Sequence, residues 1–220
     1  MDSSASKLTP LQRDLLQVFF ERETGFFLTG GAALAGFYLG HRETTDLDLF
    51  AESADSFERG RHALASAAEA IGGSMARRQL APGFERYIVT RGTDSVLVDL
   101  VWDRAKQAIP DKERRGIVRI DPVEEILVNK LTTVLSRAEE RDLVDLMFLE
   151  KAGHSIEAAL PAALAKDGGC TPAALAWVLS EITIPDNASL PANVSPADLR
   201  AFVSGLIQRL RRLALPRRSG

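Results

Sequence analysis

The sequence predicts an α+β protein in which strands and helices interleave over the first 120 residues and helices alone follow. Three observations predict it. Bulky apolar residues, partly alternating with polar ones, fill short runs at 26–28, 46–50, 85–90 and 95–102, as strands require. Helical spacing governs 8–22, 56–71, 121–137 and 141–151. Beyond Gly153 the composition turns to alanine- and leucine-rich stretches with helix start signals. A division into a sheet-bearing unit, 1–120, and a helical unit, 121–220, follows.

In chain order, Thr9-Pro10 is a helix start, and Leu11, Leu15, Leu16, Phe19 and Phe20 mark an amphipathic helix over 8–22. Phe26 to Leu28 read as a strand. Gly30-Gly31 punctuates it, and Ala32 to Leu39 read as a short helix with Gly31 at its start. The free N–H groups of such a helix carry partial positive charge, and glycines let a phosphate approach the backbone closely. Gly30 and Gly31 are therefore candidates for a phosphate cradle.

After the loop His41-Arg42-Glu43-Thr44-Thr45, acids and apolar residues alternate in Asp46-Leu47-Asp48-Leu49-Phe50, which puts Asp46 and Asp48 on one strand face. Two carboxylates about 7 Å apart repel unless solvated or bridged by a cation. Hard oxygen donors suit Mg²⁺, which binds through one or two carboxylates plus substrate phosphates. The phosphate candidate and the metal candidate thus adjoin.

Residues 56–71 read as a helix that stops at Gly72-Gly73. From Met75 to Asp103 two strands are predicted, around 85–90 and 95–102, joined by a turn at Gly92-Thr93-Asp94. In the second, Val96, Val98, Leu100 and Trp102 share one face; Leu97, Asp99, Val101 and Asp103 share the other. Asp99 interrupts an apolar strand, where an unpaired buried carboxylate costs several kcal/mol, roughly. Beside Asp48 it would complete a three-carboxylate cluster; at a strand end it would simply face water. Residues 104–115 are polar and read as a loop or short helix at the rim.

In Asp121-Pro122-Val123-Glu124 a cap, a first-turn proline and an acid start a helix that runs to about Arg137. Lys130 falls on its apolar arc, so its ammonium needs an anionic partner: a phosphate, or Asp145 on the next helix. One continuous helix would hold Lys130 and Asp145 about 22 Å apart, so a turn is expected near 136–140. Asp142 is the expected partner of Arg137 or Arg141. Helices over 155–166, 172–182 and 196–214 follow, with a linker at 185–196.

The net charge of −3 argues against a general nucleic-acid coat. Arg200, Arg209, Arg211, Arg212, Arg217 and Arg218 nevertheless follow one another with no acid among them. They form either a solvated basic end or a contact for an RNA backbone. Cys170 is the only cysteine, which excludes an intrachain disulfide and a cysteine-rich zinc site. No apolar run approaches the roughly 20 residues of a membrane helix, and Met1 to Lys7 lack a secretory pattern, so a cytoplasmic protein is expected.

Gly30-Gly31-Ala32-Ala33-Leu34, then His41-Arg42-x-Thr44-x-Asp46-Leu47-Asp48, then Lys130-Leu131 and Arg141-Asp142-x-x-Asp145-Leu146 form an ordered set. It resembles the AbiEii/AbiGii (MenA-type) nucleotidyltransferase toxins of the polymerase-β-like superfamily. The resemblance implies a small mixed sheet of nucleotidyltransferase type flanked by helices, followed by a C-terminal helical bundle that completes the active site through Lys130 and Asp145. It implies an enzyme in which Asp46, Asp48 and Asp99 hold one or two Mg²⁺ ions. Thr29, Gly30, Gly31, Arg42 and Lys130 would contact the phosphates of an NTP donor, and Asp145 would orient Lys130 or touch the nucleotide. The implied acceptor is tRNA or another RNA, and the implied partner a separately encoded antitoxin. Members usually carry Ser or Thr directly after the glycine pair, where this chain has Ala32; Thr29 is the candidate substitute. A small-molecule acceptor, as for antibiotic-modifying enzymes, and a non-catalytic nucleotide-binding protein are the alternatives.

Overall fold

The computed structural model describes residues 7–215. The chain divides into two compact units: residues up to Ala105 with Ile109–Val123, and Lys106–Ala108 with Glu124 onward.

The first unit is built on a seven-stranded mixed sheet. Its elements are α1 (Pro10–Arg22), β1 (Phe26–Thr29), α2 (Gly30–Ala33), a π turn (Leu34–Tyr38), β2 (Asp46–Ala51), α3 (Ala54–Ala70), β3 (Ser74–Ala81), β4 (Phe84–Arg91), β5 (Asp94–Trp102), β6 (Glu113–Arg115) and β7 (Val118–Ile120). The strand order is β3-β4-β5-β2-β1-β7-β6. The β2–β5 and β1–β7 pairs are parallel, and the others antiparallel. Thr9 starts α1 through a reciprocal cap with Gln12, and Ser53 caps α3.

Alternation decides which sheet face is covered. Leu47, Leu49 and Ala51 of β2 are fully buried, as is Phe26, the register partner of Ala51. Phe19 of α1 meets Phe26 edge to face at 5.3 Å, and Gly60 of α3 leaves room for the same ring. Both helices therefore cover this face, with Phe20, Leu64, Val98 and Leu100 also buried. The opposite face carries Asp46, Asp48 and Phe50, all only half-buried.

Three local features depart from the sequence-based expectation. Strand β3 has no counterpart there, because Ser74–Ala81 lies at the sheet edge, is largely exposed and so lacks an apolar alternation. The rim segment holds a hairpin, β6–β7, turning at Gly116 with φ +63°. The short helix opens at Gly30 rather than Gly31, with Thr29 as its cap residue, and widens to a π turn from Leu34.

The second unit contains α4 (Val123–Ser136, its first residue in the other unit), α5 (Glu140–Lys151), α6 (Ile156–Lys166), α7 (Pro172–Ser180), a 3₁₀ turn (Pro191–Asn193) and α8 (Pro196–Ala214). Ser155, Thr171 and Ser195 each accept a backbone N–H at a helix start, the expected role of a hydroxyl there. Leu199, Val203, Leu206 and Leu210 bury the apolar stripe of α8. The chain reverses between α4 and α5 through Ala138, which has φ 44°. Among the described residues no helix is long and apolar enough to cross a membrane.

Candidate active site

Strand register brings the site of the first unit together. Asp48 pairs with Thr29 across the antiparallel β1–β2 ladder and with Asp99 across the parallel β2–β5 ladder. Asp99 pairs with Arg86 across β4–β5. Register partners point to one face, so Thr29, Asp48, Asp99 and Arg86 form a row across four strands on the half-exposed side of the sheet. Asp46 lies two residues from Asp48 on the same face, and its Oδ1 accepts from the Thr44 hydroxyl at 2.8 Å. The placement of Asp99 beside Asp48, which the sequence could only suggest, is fixed by this register.

The glycine turn closes on the row. Gly30 has φ +64°, and a methyl group there would run into Oδ2 of Asp48. Gly31 leaves room for Arg42, whose Nη2 lies 2.5 Å from the place of a Cβ. Arg42 is buried and donates from Nη1 to the Glu43 carbonyl at 3.0 Å. Gly30→Ala is therefore expected to cost about 1–2 kcal/mol of stability from the positive φ alone. It should lower activity more steeply than stability, because the methyl displaces Asp48; thermal melts and turnover of the same preparation check this.

On the same face, at β1, lies a buried polar network that no local sequence pattern assembles. Lys112 Nζ meets Asp121 Oδ1 at 2.7 Å, both side chains only 1% exposed. The Thr29 hydroxyl donates to Asp121 Oδ2 at 2.6 Å, and the Tyr38 hydroxyl donates to the Asp121 carbonyl at 2.8 Å. Lys112 also sits 4.2 Å from the Phe27 ring centroid. Burial, then Glu113, pushes the Tyr38 phenol above its ordinary range, so it remains a donor. The sequence pattern casts Asp121 as a helix cap, but its carboxylate ties Lys112 to Thr29 at the entrance to the glycine turn. The Thr29 hydrogen points to Asp121, so any donation from this residue toward a phosphate would come from its backbone.

Asp99 is held by a fork. Arg86 Nε donates to Oδ1 at 2.7 Å and Nη2 to Oδ2 at 2.6 Å. The Asp99 bond, which outweighs burial, raises the Arg86 guanidinium above its ordinary value, with Asp46 and Asp48 adding to it. The Arg86 guanidinium thus interacts electrostatically with all three carboxylates.

Among the described residues no three His, Cys, Asp or Glu side chains form a ready-made ion cage. The donor chemistry nevertheless fits Mg²⁺. Asp46 and Asp48 offer hard oxygens on one half-buried face, and Mg²⁺ uses one or two carboxylates and keeps its other positions for water and phosphate. Asp99 adjoins them with its oxygens engaged by Arg86.

In the second unit Lys130 is the hub of a buried charge cluster. Its Nζ lies 2.7 Å from Asp145 Oδ2 and 2.8 Å from Asp142 Oδ1. Both acids are fully buried, and Asp142 also meets Arg137 at 3.2 Å. Asp145 is thus the partner that the apolar arc demands; Asp142 serves both Lys130 and Arg137, while Arg141 pairs with Glu139. Burial opposes the lysine charge, but Asp145 and Asp142 outweigh it and hold Lys130 above the ordinary lysine value. Of the basic C-terminal residues, Arg200 pairs with Asp186 and Arg209 with Glu150 and Glu157, so these two serve the fold. Arg211 and Arg212 lie in the last turn of α8, and Arg217 and Arg218 fall outside the described residues.

Comparison with known proteins bears on the fold and the family. The chain is similar in structure to JHP933 from Helicobacter pylori, with a TM-score of 0.58 and 20% identity over 92% of this chain and 90% of that one. It is likewise similar to an H. pylori protein described as a candidate nucleotidyltransferase, with a TM-score of 0.55 and 20% identity over 92% and 94%. At such identity the likeness shows the fold. No curated protein sequence matches. The model of the family described as "Nucleotidyl transferase AbiEii toxin, Type IV TA system" matches residues 13–216. The chain therefore belongs to the AbiEii family of nucleotidyltransferase toxins, which act in type IV toxin–antitoxin systems.

Proposed function

We propose that this nucleotidyltransferase takes its nucleotide from an NTP, depends on Mg²⁺, and transfers to RNA, with tRNA as acceptor. The observation that carries the proposal is the register row: Asp48 stands between Thr29, at the glycine turn, and Asp99, with Asp46 on the same face. A phosphate-accepting turn beside paired hard ligands is what transfer of a nucleotide from a triphosphate requires.

In this reading Asp46 and Asp48 hold the cation, joined by Asp99 once its oxygens are released. A divalent ion bound there would lower the pKa of the attacking hydroxyl and stabilise the leaving pyrophosphate. The backbone N–H groups at Gly30 and Gly31 receive phosphate oxygens, and Arg42, under Gly31, reinforces that charge. Thr29, anchored to Asp121, fixes the start of the turn. Lys130, oriented by Asp145, neutralises triphosphate charge, a role that rests on the family resemblance. The tRNA acceptor rests on the same resemblance, as does neutralisation by a separately encoded antitoxin; a cytoplasmic site of action rests on the sequence expectation above.

The test is incubation of the protein with Mg²⁺, each α-labelled NTP in turn and total bacterial RNA. Label is expected in the tRNA fraction. Pyrophosphate release without labelled RNA would move the acceptor to a small molecule or a protein. Saturable NTP binding with no turnover would leave only a nucleotide-binding protein.

A further inference from the structure

The Arg86–Asp99 pair is built rather than incidental. The β4–β5 hairpin sets the two residues opposite each other, and the fork satisfies both carboxylate oxygens. Their surroundings differ. The Asp99 side chain is 8% exposed and fixed in a central strand, whereas the Arg86 side chain is 39% exposed on β4. The arginine can therefore leave toward solvent while the aspartate cannot follow. Phe84, on the same face of β4, lies 5.6 Å from the guanidinium and offers its ring as a support. The fork takes one lone pair on each Asp99 oxygen, so a divalent cation shared by Asp48 and Asp99 would have to bind against the guanidinium, and the two positive charges would repel.

We propose that Arg86 is an internal counter-ion that a divalent cation must displace from Asp99, so that this arginine sets the cation concentration at which the three carboxylates bind. The inference rests on the metal-dependent reading above. Without a bound cation the fork offsets the repulsion among Asp46, Asp48 and Asp99. With one, the same charge competes for the site. Arg86 is thus a positioning residue for the acids, acting through Asp99.

The test is a titration of the full chain with Mn²⁺ alone, reading the free-ion signal by electron paramagnetic resonance in wild type, Arg86→Gln, Arg86→Lys and Asp48→Asn. Arg86→Gln is expected to tighten Mn²⁺ binding by about tenfold. Arg86→Lys, which keeps the charge but loses the fork, should fall between it and wild type; it also controls for a folding defect in the glutamine variant. A purely structural role would lower the melting temperature without tightening the Kd. If wild type binds Mn²⁺ and Asp48→Asn does not, while both Arg86 variants bind as wild type or more weakly, the counter-ion role is overturned and the metal site stands. If neither wild type nor Arg86→Gln binds Mn²⁺, the metal reading fails and the counter-ion role fails with it.

Discussion

Asp48→Asn is expected to reduce nucleotide transfer by at least about 10³-fold, roughly 4 kcal/mol of transition-state stabilisation, while leaving the protein folded. Asp48 is central in the row from Thr29 to Arg86, touches the glycine turn, and sits beside Asp99. Asparagine keeps its shape and removes a hard anionic ligand. Stability should hold or rise slightly, because one of three neighbouring carboxylates loses its charge and Arg86 retains Asp99. Turnover and thermal melts on the same preparation check both halves. A large fall in melting temperature would show that Asp48 serves the fold, and transfer within tenfold of wild type would remove it from the chemistry.

Lys130→Met is expected to have the largest effect on stability, about 3–5 kcal/mol, because it strips a buried cation from two fully buried acids. The penalty lies in the carboxylates left behind, not in the lost stem, which methionine replaces. Adding Asp142→Asn and Asp145→Asn should therefore restore most of the loss, although Arg137 then loses the nearer of its two acids, Asp142, and keeps Glu139. That refolded triple variant separates the two roles of Lys130. If the lysine also neutralises triphosphate charge, the triple variant should be stable and inactive while Asp142→Asn/Asp145→Asn with Lys130 intact still transfers; if the triple variant transfers nucleotide as wild type does, Lys130 is structural only. The pH dependence has a definite sign. Lys130 is held above the ordinary lysine value, so its contribution is present in full below the unfolded pKa of about 10.4 and is lost as pH rises through the higher folded value. The stability gap between wild type and Lys130→Met should accordingly stay flat from neutral pH to about 9.5, as denaturant melts across that range would report.

Much of the site is legible in the sequence because it is written in short periods. The alternation of Asp46 to Phe50 places both acids on one face, and the faces assigned to Val96 through Trp102 match the burial of Val96, Val98 and Leu100. Lys130 on an apolar arc demands an anionic partner, and Asp145 and Asp142 meet that demand. What the sequence hides depends on distance along the chain. Lys112, Asp121 and Thr29 meet only because β7 runs parallel to β1, and no local pattern in a polar rim segment reveals that. Arg86 is nearly within reach: across the observed two-residue turn Gly92-Thr93, five positions back from Arg91 and five forward from Asp94 are Arg86 and Asp99, one step out of the register that a turn including Asp94 gives. A strand arginine opposite a strand aspartate is a signal that such a count exposes. Strand β3 offers none, since its residues are those an edge needs rather than those a core buries.

The central claim, that the carboxylate row and glycine turn carry out nucleotidyl transfer, is tested most directly by following two labels in one reaction. Protein, Mg²⁺ and total RNA are incubated in parallel with NTP labelled at the α or at the γ phosphate, with Asp48→Asn as control. The expected result is α label in acid-precipitable RNA and γ label in pyrophosphate, with neither transferred by the variant. Label from the γ phosphate in the product, or transfer by Asp48→Asn at the wild-type rate, would contradict it.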